Sequence, residues 1–195
     1  MDNIVTKASE YVTELLTKTL PSNCTYHNLV HTHQVVDAVT EIGKNSGLTE
    51  DQIEILILSA WFHDTGFVTG FEDHEGKSIQ IAEEFLKENH YPSEKAALVL
   101  KTINATDIAI KPVVILEMII RDADIVYIGM EKFYEKSFLL KHEREIAGEK
   151  KYTEDEWINS NLDFLARTEF YTSYAKANYE EGRQKNISHL KSLRK

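Results

Sequence analysis

Apolar residues recur three or four positions apart along nearly the whole chain, and that period commits it to packed α-helices. Ile4, Ala8, Tyr11, Leu15 and Thr19 trace the first such face, and Pro21 closes the segment. Val35, Val39 and Ile42 continue a face that begins at His31, and Gly47 stops it. Thr49, Glu50, Asp51 and Gln52 form a capping box that opens a helix through Ile53, Leu56, Ile57, Ala60 and Trp61. That helix is apolar almost all round, so it belongs at the centre of the fold, and it ends at His63-Asp64.

Further helices are expected from about His74 to Asn89, with Ile79, Ala82, Phe85 and Leu86 inward, and from Pro92-Ser93 to about Thr106. The segment after Lys111-Pro112, VVILEMIIRDADIVYIG, is read as a buried helix rather than a strand, although β-branched residues crowd it. A second capping box at Thr153–Glu156 precedes Trp157, Leu162 and Leu165, and an amphipathic helix begins near Thr172. With 8 Gly and 3 Pro in 195 residues, little material is left for sandwiches or extended linkers. The expectation is one all-α domain over 1–195, of roughly eight to ten helices. Its motif-bearing core is 26–130, and helices from 131–195 pack onto it.

Composition excludes several functions. The net charge of −10 disfavours capture of a nucleic acid duplex, and any polyanionic substrate needs positive charge supplied locally. A bound divalent cation is the natural source. Cys24 is the one cysteine, which rules out an intramolecular disulfide and Cys-rich metal sites and fits a reducing cytoplasm. The N-terminal MDNIVTKASEYV lacks the pattern of a signal peptide, and the longest apolar runs are too short to span a bilayer. The expected address is the cytoplasm, with no membrane partner; the sequence leaves the oligomeric state open.

Histidines and carboxylates fall into three clusters. Five of the 8 histidines lie between residues 27 and 74. In the first cluster, YHNLVH, His27 and His31 stand four apart and share a face if the segment is helical. The second is His63-Asp64, and the third is Arg121-Asp122-Ala123-Asp124 within an apolar segment. A carboxylate buried there needs a cation or a metal, unless Arg121 serves as counter-charge to Asp122. Imidazole plus carboxylate suits divalent Mn, Fe, Co, Ni, Zn or Mg.

One His, then a His-Asp pair at a helix end, then a distant Asp, resembles the HD superfamily of phosphohydrolases. His31, His63-Asp64 and Asp124 fall on that pattern, and SAWFHD loosely matches its local text. YHNLVH is similar to the segment of cyclic-nucleotide phosphodiesterases whose first His donates a proton and whose second binds metal, here His27 and His31. His74 through Ser78 resembles an HxxxS element that follows the HD pair in bacterial members.

The resemblance implies one tight divalent ion on His31, His63, Asp64 and Asp124, a second weaker ion reached through Asp64, and His27 as general acid. The substrate would be a small phosphomonoester or phosphodiester, nucleotide-like in class, hydrolysed by an activated water with Asp64 assisting. His74 and Lys77 are further candidates for metal or substrate contact. The later histidine of dinuclear members is replaced by Asn104, Thr106 and Asp107, which disfavours an iron-dependent oxygenase. A nucleotide- or metal-binding sensory module with little turnover is the other class to weigh. His33, His90, His142 and His189 read as solvent-facing, as do Arg183 and Lys185, and Gly66–Gly70 reads as a flexible rim. The plainer role for His27 is a helix cap or a hydrogen bond within its loop.

Overall fold

A computed structural model describes residues 3–148 and 150–194, and among them every regular element is helical. The order is α1 (Ile4–Thr19), α2 (Leu29–Asn45), α3 (Glu50–Phe62), α4 (His74–Glu88), α5 (Ser93–Asn104), α6 (Ile115–Ile125), α7 (Phe133–Ile146), α8 (Glu154–Arg167) and α9 (Ser173–Leu193). Two short 3₁₀ turns, Thr65–Thr69 and Val126–Gly129, follow α3 and α6. No helix among the described residues is long and apolar enough to cross a membrane.

Local chemistry sets most of these boundaries. The Thr49 hydroxyl accepts from Gln52 N while Gln52 reaches back to Thr49 N, and Thr153 and Glu156 repeat the exchange at α8. Asn28 caps α2 by accepting from Val30 N and His31 N. At α6 the buried Glu117 carboxylate takes the Val113 and Val114 N–H groups, so the helix starts only at Ile115 and the two valines stay exposed.

The apolar α3 packs against α1, α2, α4, α5 and α6, which makes it the axis of the core. Ile55, Leu56, Leu58, Ala60, Trp61 and Phe62 are all buried. The α1 face is rotated from the one expected: Ala8, Val12 and Leu16 are buried, while Tyr11 stays 38% exposed and packs its ring edge against Phe62 and Phe85. A tyrosine at the border keeps its hydroxyl in water while burying its ring, so it marks the rim of the face and not its middle. The α7 helix, which the apolar pattern did not single out, packs against the second 3₁₀ turn.

The C-terminal helices fold back onto the motif-bearing region. Asp122 accepts from Tyr171 N (2.7 Å) and Thr172 N (2.8 Å), tying α6 to the start of α9. Burial holds its carboxyl above the usual range despite those bonds. Asp122 is therefore not the partner of Arg121. That guanidinium instead donates to the carbonyls of Ala105, Asp107 and Ile110 and pins the loop after α5.

The segment expected to be a flexible rim is a packed 3₁₀ turn with Thr65, Gly66 and Phe67 buried. Gly66 N donates to Ser78 Oγ (2.8 Å), and a β-carbon on Gly66 would lie 1.9 Å from the His74 carbonyl oxygen. Gly66→Ala must push this turn off α4. We expect a loss of about 1–3 kcal/mol in denaturant unfolding. Unchanged stability would mean that the turn and α4 are not in backbone contact.

Candidate metal centre

Three segments distant in sequence meet at one point. His31 comes from the first turn of α2, His63 and Asp64 from the end of α3, and Asp124 from the last turn of α6. His31 Nε2 lies 3.3 Å from His63 Nε2, 3.0 Å from Asp124 Oδ1 and 3.4 Å from Asp64 Oδ2. His63 Nε2 lies 3.1 Å from Asp64 Oδ2 and 3.6 Å from Asp124 Oδ1. One ligand atom each of His31, His63 and Asp124 falls within 4.8 Å of the others, a set able to hold a metal ion.

Each ligand is aimed by its helix. The Asn28 cap fixes the N-terminus of α2 and hence His31. His63 Nδ1 bonds the Ala60 carbonyl oxygen (2.8 Å); donating that proton leaves Nε2 as the lone pair facing the cluster. Asp64 sits where α3 gives way to the 3₁₀ turn, and so projects beside His63.

Electrostatics favours a cation here. Burial disfavours every charge in the cluster and pushes His31 down. At Asp64 and Asp124 the facing imidazoles outweigh burial and hold both carboxyls below the usual range. At His63 the same carboxylates outweigh burial and hold the imidazole well above its ordinary value. In the absence of an ion these carboxylates favour a proton on His63 Nε2, the position that a divalent ion would take in its place, and the two carboxylates outnumber that one charge. The buried Asp64 Oδ2 makes no well-formed hydrogen bond, and its polar neighbours are His63 Nε2 (3.1 Å) and His31 Nε2 (3.4 Å), the atoms that a divalent ion would share with it. The donor set thus fits a borderline or hard divalent metal.

His27 reaches the same cavity by a route different from the one expected. It lies before α2, not on it, because Asn28 is the helix cap. The buried Glu143 of α7 holds it there: Oε2 accepts from Tyr26 N (2.8 Å) and His27 N (3.0 Å), and Oε1 pairs with His27 Nδ1. Phe67 stacks on the ring at 4.3 Å, and the His31 ring centre is 5.9 Å away. Burial opposes protonation of His27, but Asp64, Glu143 and Asp124 outweigh it and raise its pKa.

Glu143 had no signal in the sequence, since it lies in the charged stretch KHEREIAGEK that reads as a solvated face. Glu143→Gln must turn an amide NH₂ toward either two backbone N–H groups or the imidazole N–H. We expect a loss of roughly 1–3 kcal/mol in chemical unfolding, as for an unsatisfied buried donor. No loss would mean that the loop before α2 does not depend on Glu143.

Other candidates are placed less centrally. His74 stacks on Phe67 at 4.1 Å and lines the cavity, but its Nδ1 faces Glu75 (3.2 Å) and it is not in the ligand cluster. Lys77 does not line the cavity; its Nζ donates to the Glu72 carbonyl (2.8 Å), because the turn before α4 captures it. Thr106 lines the cavity, whereas the Asp107 carboxylate takes Ala109 N. His33, His90, His142 and His189 are exposed. Arg183 and Lys185 pair with Glu180 and Glu181 on α9. The cavity, about 290 Å³, is lined by His27, Asp64 and Asp124 together with Arg144, Trp157 and Phe164.

Fold and site together define an all-helical domain built around a candidate divalent metal centre. No family model matches the chain, and no curated protein matches its sequence. Solved structures share its fold. The Lin1889 protein of Listeria innocua superimposes with a TM-score of 0.68 at 16% identity, over 97% of this chain and 93% of that one. A Lactobacillus plantarum protein gives 0.73 at 14%, over 99% and 96%. YpgQ of Bacillus subtilis, solved in complex with ADP, gives 0.68 at 18%, over 98% and 95%.

Proposed function

We propose that the chain is an HD-type, metal-dependent phosphohydrolase acting on a small phosphoester of the nucleotide class. The observation that carries this reading is the convergence of His31, His63 and Asp124 on one point, with the buried Asp64 Oδ2 3.1 Å from His63 Nε2. A divalent ion held there would supply positive charge to a phosphoryl oxygen and acidify water toward neutrality. Asp64 and Asp124 would help to hold the ion and to orient the water and the phosphoryl group.

His27 lines the same cavity as those carboxylates. With Nδ1 committed to Glu143, its Nε2 would carry the proton given to the leaving oxygen. Glu143 would position the ring and stabilise its protonated form. Arg144, one residue on, lends the cavity a cation of its own for an anionic substrate. The ADP bound to YpgQ, which shares this fold, supports a nucleotide-sized ligand.

Elemental analysis of the purified protein should find a divalent metal near one per chain. A panel of nucleotides and generic phosphoesters, with Mn, Co, Ni, Mg and Zn supplied in turn, should show turnover that chelator abolishes and added metal restores. A panel with no turnover under any ion would make the protein a nucleotide- or metal-binding module.

A further inference from the structure

The cavity at the metal cluster adjoins another. Ile108, Arg121, Ile125, Ser160 and Phe164 line both it and a second chamber of about 610 Å³ that runs between α8 and the loop after α5. Each volume is of the order of a small-molecule site, roughly 300–1,000 Å³, and the two share one wall. An elongated ligand with its phosphoryl group at the cluster would therefore send its other end past Phe164. The wall is firm, because Arg121 holds three carbonyls of the 105–110 loop that carries Ile108.

The chemistry of the far chamber differs from that of the near one. Phe164 and Tyr171 both line it, and among the described residues neither ring has an aromatic partner. Asp163 and Glu169 line it as acceptors, and Arg121 and Arg167 line it as cations, so the chamber carries no net charge. Arg121 is committed to the carbonyls of the 105–110 loop, and the two carboxylates can accept from the exocyclic amine of a heterocycle. A flat, uncharged ring with amino donors suits this chamber, and the phosphoryl end belongs at the cluster.

We propose that the second chamber is a subsite for the base of a nucleotide, stacked against Phe164 and recognised at its edge by Asp163 or Glu169. The proposal rests on the phosphohydrolase reading only for the placement of the phosphoryl group. Its test uses binding rather than turnover, so either can fail alone.

The probes are AMP and ribose 5-phosphate, which share the phosphate and sugar and differ by the base. Affinities on the metal-loaded protein are read by stopped-flow fluorescence, with Trp157 in the cavity wall as reporter, before turnover alters the ligand. AMP should bind at least tenfold more tightly. Phe164→Ala should weaken AMP by roughly five- to a hundredfold, the range for losing one base–aromatic stack, and leave ribose 5-phosphate unchanged. Phe164→Leu keeps apolar volume for α8 packing and should show the same selective loss with an unaltered melting temperature. Equal affinity for the two probes, no measurable binding of either, or equal loss of both in Phe164→Leu would overturn the subsite. Selective AMP binding without hydrolysis of any phosphoester would leave the subsite standing and remove the enzyme reading.

Discussion

His63→Ala and Asp124→Asn should each strip the protein of its divalent ion. His63 Nε2 is within 3.6 Å of both carboxylates and of His31 Nε2, and with Nδ1 bonded to the Ala60 carbonyl it is the nitrogen left for the ion. Asp124→Asn is nearly isosteric but withdraws one of the two negative charges that make the cluster attractive to a cation. Removing a residue that merely orients a metal ligand typically costs 10- to 100-fold in affinity, so removing a ligand should cost more than about 100-fold.

The stability consequence follows by mass action. An ion present at about 100 times its dissociation constant stabilises the folded state by roughly 2.7 kcal/mol, and the variants should lose that increment. Melting curves with and without chelator separate this from packing: the gap between wild type and Asp124→Asn should narrow sharply in chelator. His33→Ala is the control and should keep its metal, since that ring is exposed and rests edge-on against Trp61. Full metal occupancy in His63→Ala by elemental analysis would show the site to be misassigned.

His27→Ala should keep its metal yet lose activity in a way that depends on the leaving group. The ring is held by Glu143 and Phe67 and is not among the clustered ligand atoms, so its loss should not empty the site. General-acid assistance typically contributes about 10²–10⁴-fold, and it matters most where the departing oxygen is basic. Hydrolysis of an alkyl phosphoester such as a nucleotide should therefore fall by that factor, while a nitrophenyl ester should lose less than about tenfold. Equal losses on both substrates would reduce His27 to a loop residue held by Glu143. Loss of the metal with His27 would make it a ligand.

Where the chemistry is local, the sequence by itself determined the outcome. A capping box closes within four residues, so Thr49 and Thr153 mark the starts of α3 and α8 from their neighbours alone. The apolar circumference of the segment after Thr49 similarly requires burial on every side, and α3 is the axis of the core. His31, His63-Asp64 and Asp124 were grouped by their order along the chain and its resemblance to a known ligand pattern, and the structure brings the four side chains to one point.

The tertiary structure decided what depends on partners far along the chain. Only the seating of α1 against α3 chose Ala8, Val12 and Leu16 over Tyr11 and Leu15 as the buried face. His27 and Glu143 lie 116 positions apart, and no pattern within either segment announces that two backbone N–H groups and an imidazole converge on one carboxylate. Arg121 and Asp122 are adjacent and opposite in charge, yet each serves a different loop, because a helix points neighbouring side chains about 100° apart. The turn after Asp64 is rigid because Gly66 meets the backbone of α4, a contact that a short Gly-bearing loop does not disclose. Periodicity and capping are written over a few residues and can be read there; the carboxylate that holds His27, the cavity and its second chamber are products of helices meeting.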